Sequence, residues 1–429
     1  MIAKRPCVTM KKHSAMISVL PVCFSLLLFL ACTPVPQAPA EQKTLKVGCI
    51  MPFTGPAALW GQNIRPGMEI YADLINEDGG LKVGDDRYRI EMIFKDGFAP
   101  GPAATATRNL VYENGVTAIV GYFGPGIAAM TQITNPEKVI LNSSDIGGRD
   151  PSPPEKSYTM YGSPDMEITV YQAIAATQAF PQYHTLAWTG PSSGEHNIDA
   201  AFASTDARLL KEFGIKSVRL PYPEGTLNFV PYLTKMAELG TEVIYCVGSP
   251  LEVGLMAKQR WQMGYNWPIC QIAAALDFNI MKGIAGSEEA IQNMVSDYPV
   301  PWELKKVNVA PKYLDMAKRI WARYAEQYKK DMYLGAFGGS GITAQGQYFE
   351  ALEQAGTTDP DVVMKTLRGG TFDSFLGRYK LTGKRFYGSD VVFGQPCAMS
   401  ITKGKENVYL GEYPLTNVDV PFAEFGASE

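Results

Sequence analysis

The sequence contains few of the residues on which metal sites and covalent catalysis depend. Its 429 residues include three histidines, at positions 13, 184 and 196, and seven cysteines that form neither a CxxC motif nor a cluster with histidine. Because metal ligands are usually closely spaced, a metal site has little support. A Walker A sequence and a GxGxxG motif after a strand are also lacking. We therefore expect no metal and no cofactor.

One short motif is typical of serine hydrolases. Residues 190–194 match GxSxG after a predicted strand, with Ser192 at the position of the nucleophile. This motif forms the nucleophile turn of α/β hydrolases, in which the histidine base comes late in the chain. The last histidine here is His196, only four residues after Ser192. A five-residue match also arises easily by chance in a chain with 41 glycines. We therefore expect that the protein is not an enzyme.

Positive charge is scarce as well. The chain has 39 Lys and Arg against 43 Asp and Glu, and four of the basic residues lie in residues 1–31. Without that segment the chain has 35 basic and 43 acidic residues. A protein that binds nucleic acid needs a basic surface to neutralise phosphates, so we expect no nucleic-acid partner.

The long apolar run of the chain lies near its N-terminus. It extends over Ile17–Leu30 behind basic residues and is short for a membrane span, which fits the core of a signal peptide. The segment ending at Cys32 resembles the lipobox of bacterial lipoproteins, with Phe29 where leucine is usual. We predict a signal peptide at 1–31, and a lipidated cysteine with a flexible tether at 32–43. The alternative is an ordinary signal peptide with an incidental cysteine.

Four cysteines follow the tether. Cys49, Cys246 and Cys270 lie in apolar runs that resemble strands, so buried thiols are the simplest expectation for them. An extracytoplasmic location permits a disulfide but does not require one, and the state of Cys397 stays open.

Short apolar runs alternate with helical patterns over most of the chain. Strands are predicted at Leu45–Met51, Arg89–Phe94, Ala118–Val120, Val139–Leu141, Thr185–Trp188, Ser217–Leu220 and Glu242–Val247. Helices are predicted at Ala103–Tyr112, Ile168–Phe180, Ile198–Phe213, Phe229–Leu239, Leu251–Met263, Lys312–Tyr328 and Ile342–Gln354. This alternation predicts parallel, doubly wound sheets, and about 390 residues imply two domains. After Gly369 the pattern changes to short strands, which indicates that the chain crosses between the domains more than once.

The first strand and helix define the most informative segment. The strand Leu45–Met51 leads into a turn at residues 54–56, and a helical pattern follows and ends at Gly79-Gly80. Loops at the carboxyl ends of such strands hold the ligands of open α/β sheets. Trp60 is predicted to lie in this loop.

An ordered set of short motifs resembles one family. The motifs are Val47-x-x-x-Pro52-x-Thr54-Gly55-Pro56, Gly61-Gln62, Ile75-Asn76-x-x-Gly79-Gly80, Phe94-Lys95-Asp96, Val120-Gly121, Gly124-Pro125-Gly126, Val139–Asp145 and Gly225-Thr226-x-x-Phe229. In this order they resemble the leucine/isoleucine/valine-type substrate-binding proteins of ABC transporters. The resemblance extends from Leu45 to about Gly411.

The resemblance implies the type I periplasmic binding protein fold, in which two α/β lobes are joined by three crossing strands and close on a ligand. We place the first part of lobe 1 at 44–180, the main part of lobe 2 at 181–335, and the return to lobe 1 with the hinge and tail strands at 336–429. The implied function is a bacterial receptor, in the periplasm or at the cell surface, that delivers a small molecule to the membrane subunits of an ABC importer. A sensory receptor with the same fold is the alternative.

The resemblance also implies a candidate ligand-binding pocket. Its residues are Trp60, Phe123, Gly124, Pro125, Ser143, Ser144 and Asp145 in lobe 1, and Ser192, Ser193, Ser249 and Asp277 in lobe 2. Trp60 would cover the ligand, and Asp277 would hold an ammonium group. A carboxylate would be held by the five residues Phe123, Gly124, Pro125, Ser143 and Ser144. The alternatives are a packed loop tryptophan and serines that only form turns.

Two positions depart from the family pattern and leave the ligand open. Asp145 stands where threonine is usual, and a nearby carboxylate would repel a ligand carboxylate by about 2–4 kcal/mol in poorly solvated surroundings. Ser249 stands where the family has an aromatic residue. Branched-chain or related amino acids are the family default, and aromatic acids, amides or other carboxylates are the alternatives.

Overall fold

The chain folds into two β-sheets flanked by helices. The computed structural model describes residues 42–143, 150–162, 165–192, 206, 209–271, 278–297, 300–305, 307–338, 341–382, 384, 389–393 and 397–413. Its strands are β1 (Lys43–Met51), β2 (Leu81–Val83), β3 (Asp86–Asp96), β4 (Ala118–Tyr122), β5 (Ile140–Ser143), β6 (Thr159–Tyr161), β7 (Thr185–Thr189), β8 (Lys216–Arg219), β9 (Val243–Cys246), β10 (Ile269–Gln271), β11 (Met294–Asp297), β12 (Thr371–Ser374), β13 (Gly377–Thr382), β14 (Val392–Phe393), β15 (Cys397–Lys403) and β16 (Glu406–Tyr413).

Both sheets are mainly parallel. Over the described residues the first sheet has the strand order β12-β13-β14-β6-β5-β4-β1-β3-β2, and the second has the order β16-β15-β11-β10-β9-β7-β8. In the first sheet the strands from β14 to β3 pair in parallel, and antiparallel strands form its edges. In the second, β15 and β16 form an antiparallel edge. The predicted α/β fold with two sheets of mainly parallel strands is confirmed.

Helices connect the parallel strands. They are α1 (Ala58–Glu77), α2 (Pro100–Arg108), α3 (Ile127–Thr134), α4 (Asp165–Ala179), α5 (Val230–Glu238), α6 (Pro250–Gln262), α7 (Phe278–Ala285), α8 (Pro311–Tyr328), α9 (Ile342–Ala355) and α10 (Pro360–Gly369). Helix α9 is buried on all sides between Ile342 and Leu352, and helix α8 packs against α1. Among the described residues, no helix is both long and apolar enough to cross a membrane.

The prediction that Trp60 lies in a loop is wrong. Helix α1 begins at Ala58, so Trp60 lies in its first turn. The helix can begin this early because Gly61 packs directly against the main chain: a methyl group there would lie 2.2 Å from the carbonyl oxygen of Pro52. The apolar periodicity that predicted the helix starts only at Ile64, one turn later.

The chain changes sheets repeatedly. In the described part of the chain it passes from β6 to β7, from β11 to β12 and from β14 to β15, and each step leads to the other sheet. Helix α4 packs against strands of the second sheet, including β10 and β11. The lobe boundaries given above stay predictions.

Candidate functional site

The carboxyl ends of four neighbouring strands meet at one edge of the first sheet. Met51, the last residue of β1, pairs with Asp96, the last residue of β3. On the other side of β1, the last residues of β4 and β5, Tyr122 and Ser143, are partners. The loops that follow these strands therefore lie side by side, which is the place where open α/β sheets hold ligands.

Three aromatic side chains form a wall at this edge: Trp60 from the first turn of α1, and Phe98 and Phe123 from the loops after β3 and β4. The rings of Trp60 and Phe123 meet edge to face with centroids 5.1 Å apart, and Phe98 meets Phe123 at 6.2 Å in the same manner. All three side chains are half-buried. The Nε1 atom of Trp60 is buried and has no hydrogen-bond partner among the described atoms. An N–H group of this kind is a donor that a ligand can satisfy.

The loop over residues 123–126 is held by hydrogen bonds to Tyr122. The hydroxyl of Tyr122 donates to the carbonyl oxygen of Phe98 and accepts from the amide of Gly126, both at 2.7 Å. Gly124 has a φ of +144°, a value that favours glycine. The structure thus brings Trp60, Phe123, Gly124 and the neighbouring Pro125 together at one edge.

Asp96 fixes the loop after β1. Its Oδ1 accepts from the amide of Phe53 at 2.7 Å, and its Oδ2 accepts from the hydroxyl of Thr54 at 2.6 Å. The guanidinium of Arg65 lies over the ring of Phe94, 4.8 Å from its centroid. The sequence contains Asp96 in a recognisable motif, but the motif gives no sign of this role.

Ser143 is oriented towards the interior of the sheet. Its side chain is fully buried, and its hydroxyl donates to the carbonyl oxygen of Tyr122 at 3.1 Å. The preceding Asn142 donates to the carbonyl oxygen of Ala344 in α9 at 3.0 Å. The hydroxyl of Ser143 therefore connects β5 to β4. Ser144 and Asp145 lie outside the described residues, so their roles stay predictions.

Near the strands of the second sheet, Ser192 makes a main-chain hydrogen bond and Ser249 caps a helix. The amide of Ser192 donates to the carbonyl oxygen of Tyr222 at 2.7 Å. Ser249 is the N-cap of α6: its hydroxyl accepts from the amide of Glu252 at 3.3 Å, and its own amide donates to Glu252 Oε2 at 2.7 Å. The two reciprocal bonds form a capping box. Ser193, Asp277 and the proposed lipid-modified Cys32 lie outside the described residues.

Asp297 is a titratable group at a strand end that sequence analysis missed. It is the last residue of β11, and its Oδ1 is buried without a hydrogen-bond partner among the described atoms. Burial raises the pKa of its carboxyl to about 7. In the sequence, Asp297 is recognisable only as an acidic residue at the end of a short, mainly apolar run.

Three cysteines are buried, as predicted. Cys49, Cys246 and Cys270 are also free of disulfides, and burial raises the pKa of each of their thiols. Within the described ranges no three His, Cys, Asp or Glu side chains are grouped in a way that could hold a metal ion.

Comparisons with known proteins identify similar sequences and folds. The family model described as "Periplasmic binding protein" matches residues 44–392. Leu/Ile/Val-binding protein homolog 6 of Brucella suis is 26% identical over 230 residues, which are 51% of this chain and 54% of that protein. The match thus spans about half the length of that relative.

Two solved structures show a similar fold. The first is the branched-chain amino acid transporter substrate binding protein LivJ from Streptococcus pneumoniae in complex with isoleucine, with a TM-score of 0.68, 18% identity, and coverage of 87% of this chain and 100% of that chain. The second is a solute binding protein of an ABC transporter from R. palustris in complex with benzoate, with a TM-score of 0.64, 18% identity, and coverage of 86% and 97%. At these identities the likeness shows the fold alone.

Proposed function

We propose that this chain, which belongs to the periplasmic binding protein family, is an extracytoplasmic receptor that binds a small solute between its two sheets. The observation that carries the proposal is the edge of the first sheet, where the loops after β1, β3 and β4 converge. There Trp60 and Phe123 form an aromatic wall, and the buried Nε1 of Trp60 has no hydrogen-bond partner among the described residues.

The binding mechanism follows from which groups each loop presents. The loop over 123–126 leads directly into the N-terminus of α3, where main-chain N–H groups and the helix dipole favour an anion. The aromatic wall would cover the apolar part of the ligand. Closure of the second lobe would then bury the ligand, and the ligand would stabilise the closed state because only there do both lobes contact it.

The ligand is proposed to be an amino acid, most simply a branched-chain or related one. A carboxylate would bind at the 123–126 loop and an aliphatic side chain would pack on Trp60. LivJ, which shares the fold, is solved with isoleucine. Delivery to the membrane subunits of an ABC importer is the corresponding physiological role.

An aromatic carboxylate is the second candidate, and the edge-to-face cluster of Trp60, Phe123 and Phe98 favours it. An aromatic ligand ring would extend this cluster with the geometry that aromatic pairs prefer. The R. palustris protein with the same fold is solved with benzoate.

Thermal unfolding in the presence of L-isoleucine, L-leucine, L-valine, benzoate or 4-hydroxybenzoate tests the proposal. A ligand present at a hundred times its dissociation constant stabilises the protein by about 2.7 kcal/mol, which is a readily measured shift in Tm. The response of Trp60→Ala should be lost, while its unfolding without ligand stays cooperative.

The matched control is Trp261→Ala, because Trp261 is 41% exposed on helix α6. This variant should keep the full ligand response. If none of the five compounds changes the Tm, the proposed ligand classes are wrong. If Trp60→Ala binds as well as the wild type, the aromatic wall is not part of the site.

Membrane attachment is a separate part of the proposal and depends on Cys32. A lipidated cysteine would hold the receptor at the membrane through the 32–43 tether. In cells, Cys32→Ser should move the protein from the membrane to the soluble fraction and abolish incorporation of labelled fatty acid. Unchanged membrane association of this variant would contradict the lipid anchor.

A further inference from the structure

We infer that Tyr122 is a positioning residue of the binding edge: its buried hydroxyl fixes the loop that carries Phe123 against the loop that carries Phe98. This inference rests on the proposed function, since it assigns to Tyr122 the task of holding the ligand-binding loops in place. Tyr122 itself lies behind these loops, in the interior, and its side chain is fully buried.

The hydroxyl of Tyr122 joins two loops that are distant in sequence. It donates to the carbonyl oxygen of Phe98, which follows β3, and accepts from the amide of Gly126, which precedes α3. Both distances are 2.7 Å, so both are good hydrogen bonds. A buried hydroxyl that donates once and accepts once satisfies a main-chain group of each loop.

Two glycines make room for this hydroxyl. A methyl group on Gly126 would lie 2.4 Å from Tyr122 Oη, and one on Gly124 would lie 2.9 Å from the same atom. Cβ atoms in proteins essentially never lie closer than 3.0 Å to such an atom, so a larger residue at either position would displace the hydroxyl. The Gly124-Pro125-Gly126 sequence therefore suits a loop that closes over a tyrosine hydroxyl.

The main chain of Tyr122 extends the arrangement to a third strand. Its carbonyl oxygen accepts from the hydroxyl of Ser143, the last residue of β5. The ends of β3, β4 and β5 are thus joined at one residue. Two side chains of the aromatic wall, Phe98 and Phe123, depend on the loops that the hydroxyl connects.

Tyr122→Phe tests the inference, because it removes only the hydroxyl. The variant leaves the carbonyl of Phe98 and the amide of Gly126 without their buried partner, and the loops are expected to relax. With L-isoleucine and benzoate as probes in calorimetry, we expect about tenfold weaker binding of the probe that the wild type binds, equivalent to about 1.4 kcal/mol.

Tyr348→Phe is the matched control. Tyr348 is also buried, and its hydroxyl donates to Thr117 at 3.1 Å, just before β4 begins and thus at the opposite end of the same strand. Both variants lose one buried hydroxyl from the same lobe. The control should lower the Tm less than Tyr122→Phe does, because it removes one hydrogen bond instead of two, and it should bind the probe with wild-type affinity.

Hydrogen exchange of the Gly126 amide gives a readout that needs no ligand. Exchange should be faster in Tyr122→Phe and unchanged in Tyr348→Phe, because only the first variant removes the acceptor of this amide. Faster exchange with unchanged affinity would show a purely structural role and overturn the inference. Unchanged exchange would overturn it as well. If the wild type binds neither probe, the compound among the five above that changes the Tm takes their place; if none does, the proposed ligand classes are wrong and the inference falls with them.

Discussion

The carboxyl group of Asp297 couples the stability of the protein to pH. Burial raises its pKa to about 7, whereas an aspartate of the unfolded chain titrates near pH 4. Between these values the folded state keeps a proton that the unfolded state has lost. The contribution of the protonated carboxyl is therefore complete below about pH 4 and is lost as the pH rises to about 7.

Asp297→Asn should remove this pH dependence, because an amide of similar shape does not titrate. The free energy of unfolding should fall less between pH 4.5 and pH 8 than in the wild type, by up to about 4 kcal/mol. Urea unfolding at the two pH values measures the difference. Identical pH profiles for the variant and the wild type would contradict the assigned pKa.

Asp150 provides a control of opposite sign. Burial disfavours its charged form, but hydrogen bonds from Ser157, Asn135 and Ser152 outweigh burial and hold its pKa below the ordinary value. Its contribution is present above the pKa of the unfolded chain and is lost as the pH falls through the lowered pKa. Asp150→Asn should therefore reduce stability at neutral pH and have little effect in acid.

A buried arginine, which has no carboxylate partner among the described residues, is the second residue on which stability depends. Arg260 is 1% exposed and donates to the carbonyl oxygens of Trp267 and Ala290, the latter at 2.7 Å. Desolvation lowers its pKa to about 10, so it stays charged at neutral pH. The side chain joins the end of α6 to the segments on either side of β10.

Arg260→Met should destabilise the fold by about 2–4 kcal/mol. The methionine side chain fills much of the same space, but the two carbonyl oxygens lose their hydrogen-bond donors. Chemical denaturation measures the effect. Arg319→Met is the control, since Arg319 is partly exposed and pairs with an exposed Asp78 at 2.7 Å. An exposed pair of this kind is worth about 0–1 kcal/mol. Equal losses in the two variants would contradict the structural role of Arg260.

At the level of elements, Ser249 has an observed role in capping a helix and a proposed role in ligand binding. The sequence predicted it as a ligand contact, and the structure places it at the N-cap of α6 with Glu252. Ser249→Ala should cost about 1 kcal/mol in thermal or chemical unfolding. Ser249→Asn should restore most of this loss, because asparagine is also a good N-cap.

Ligand affinity separates the two roles of Ser249. If it only caps the helix, Ser249→Asn binds L-isoleucine or benzoate like the wild type. If its hydroxyl contacts the ligand, affinity falls in both variants, whatever the stability of Ser249→Asn. A loss of affinity without a loss of stability in Ser249→Ala would contradict the capping role.

The long periodic elements and several short strands, such as β8 and β9, could be predicted from the sequence, whereas β10 and β11 could not. The predicted helix Lys312–Tyr328 matches α8, and the predicted strand Leu45–Met51 lies within β1. Strands β10 and β11 have three and four residues, too few for any periodicity to be visible. Their place in the sheet is set by pairing with β9 and β15, which are remote in sequence.

The candidate site was predictable only where local sequence determines the backbone. The sequence singled out Trp60 and the Gly124-Pro125-Gly126 motif, but nothing in it indicated that Trp60, Phe123 and Phe98 meet in one aromatic cluster. Some of the partners that hold the loops in place are far away in the sequence: Phe98 is 24 residues from Tyr122, and Asp96 is 43 residues from Phe53. A single sequence contains no signal for such contacts, since they depend on which strands become neighbours.

At the level of the whole molecule, the segment between β11 and α8 is part of one of the crossings between the two sheets. Trp302, in the segment after β11, meets Trp321 of α8 and Phe337 edge to face, with centroids 5.4 and 5.9 Å apart. Both partners belong to segments that pack against α1 beside the first sheet. Three residues later, the amide of Lys305 donates to Glu412 of β16 in the second sheet.

The second-sheet end of this segment is held by more than one contact. Glu412 is 4% exposed and also accepts from the hydroxyl of Tyr409 at 2.9 Å. The ammonium group of Lys305 lies 4.8 Å from the centroid of the Tyr409 ring. A short segment that is anchored in this way at both ends transmits the unfolding of one sheet to the other.

Trp302→Ala should therefore uncouple the two halves rather than merely lower the Tm. Each aromatic pair is worth about 1 kcal/mol beyond the area it buries, so losing both weakens the coupling by about 2 kcal/mol. Calorimetry should show one cooperative transition for the wild type and two for the variant. Trp261→Ala, which removes an exposed tryptophan on α6, should keep a single transition. A single transition in Trp302→Ala at a lower Tm would mean that other crossing segments carry the coupling.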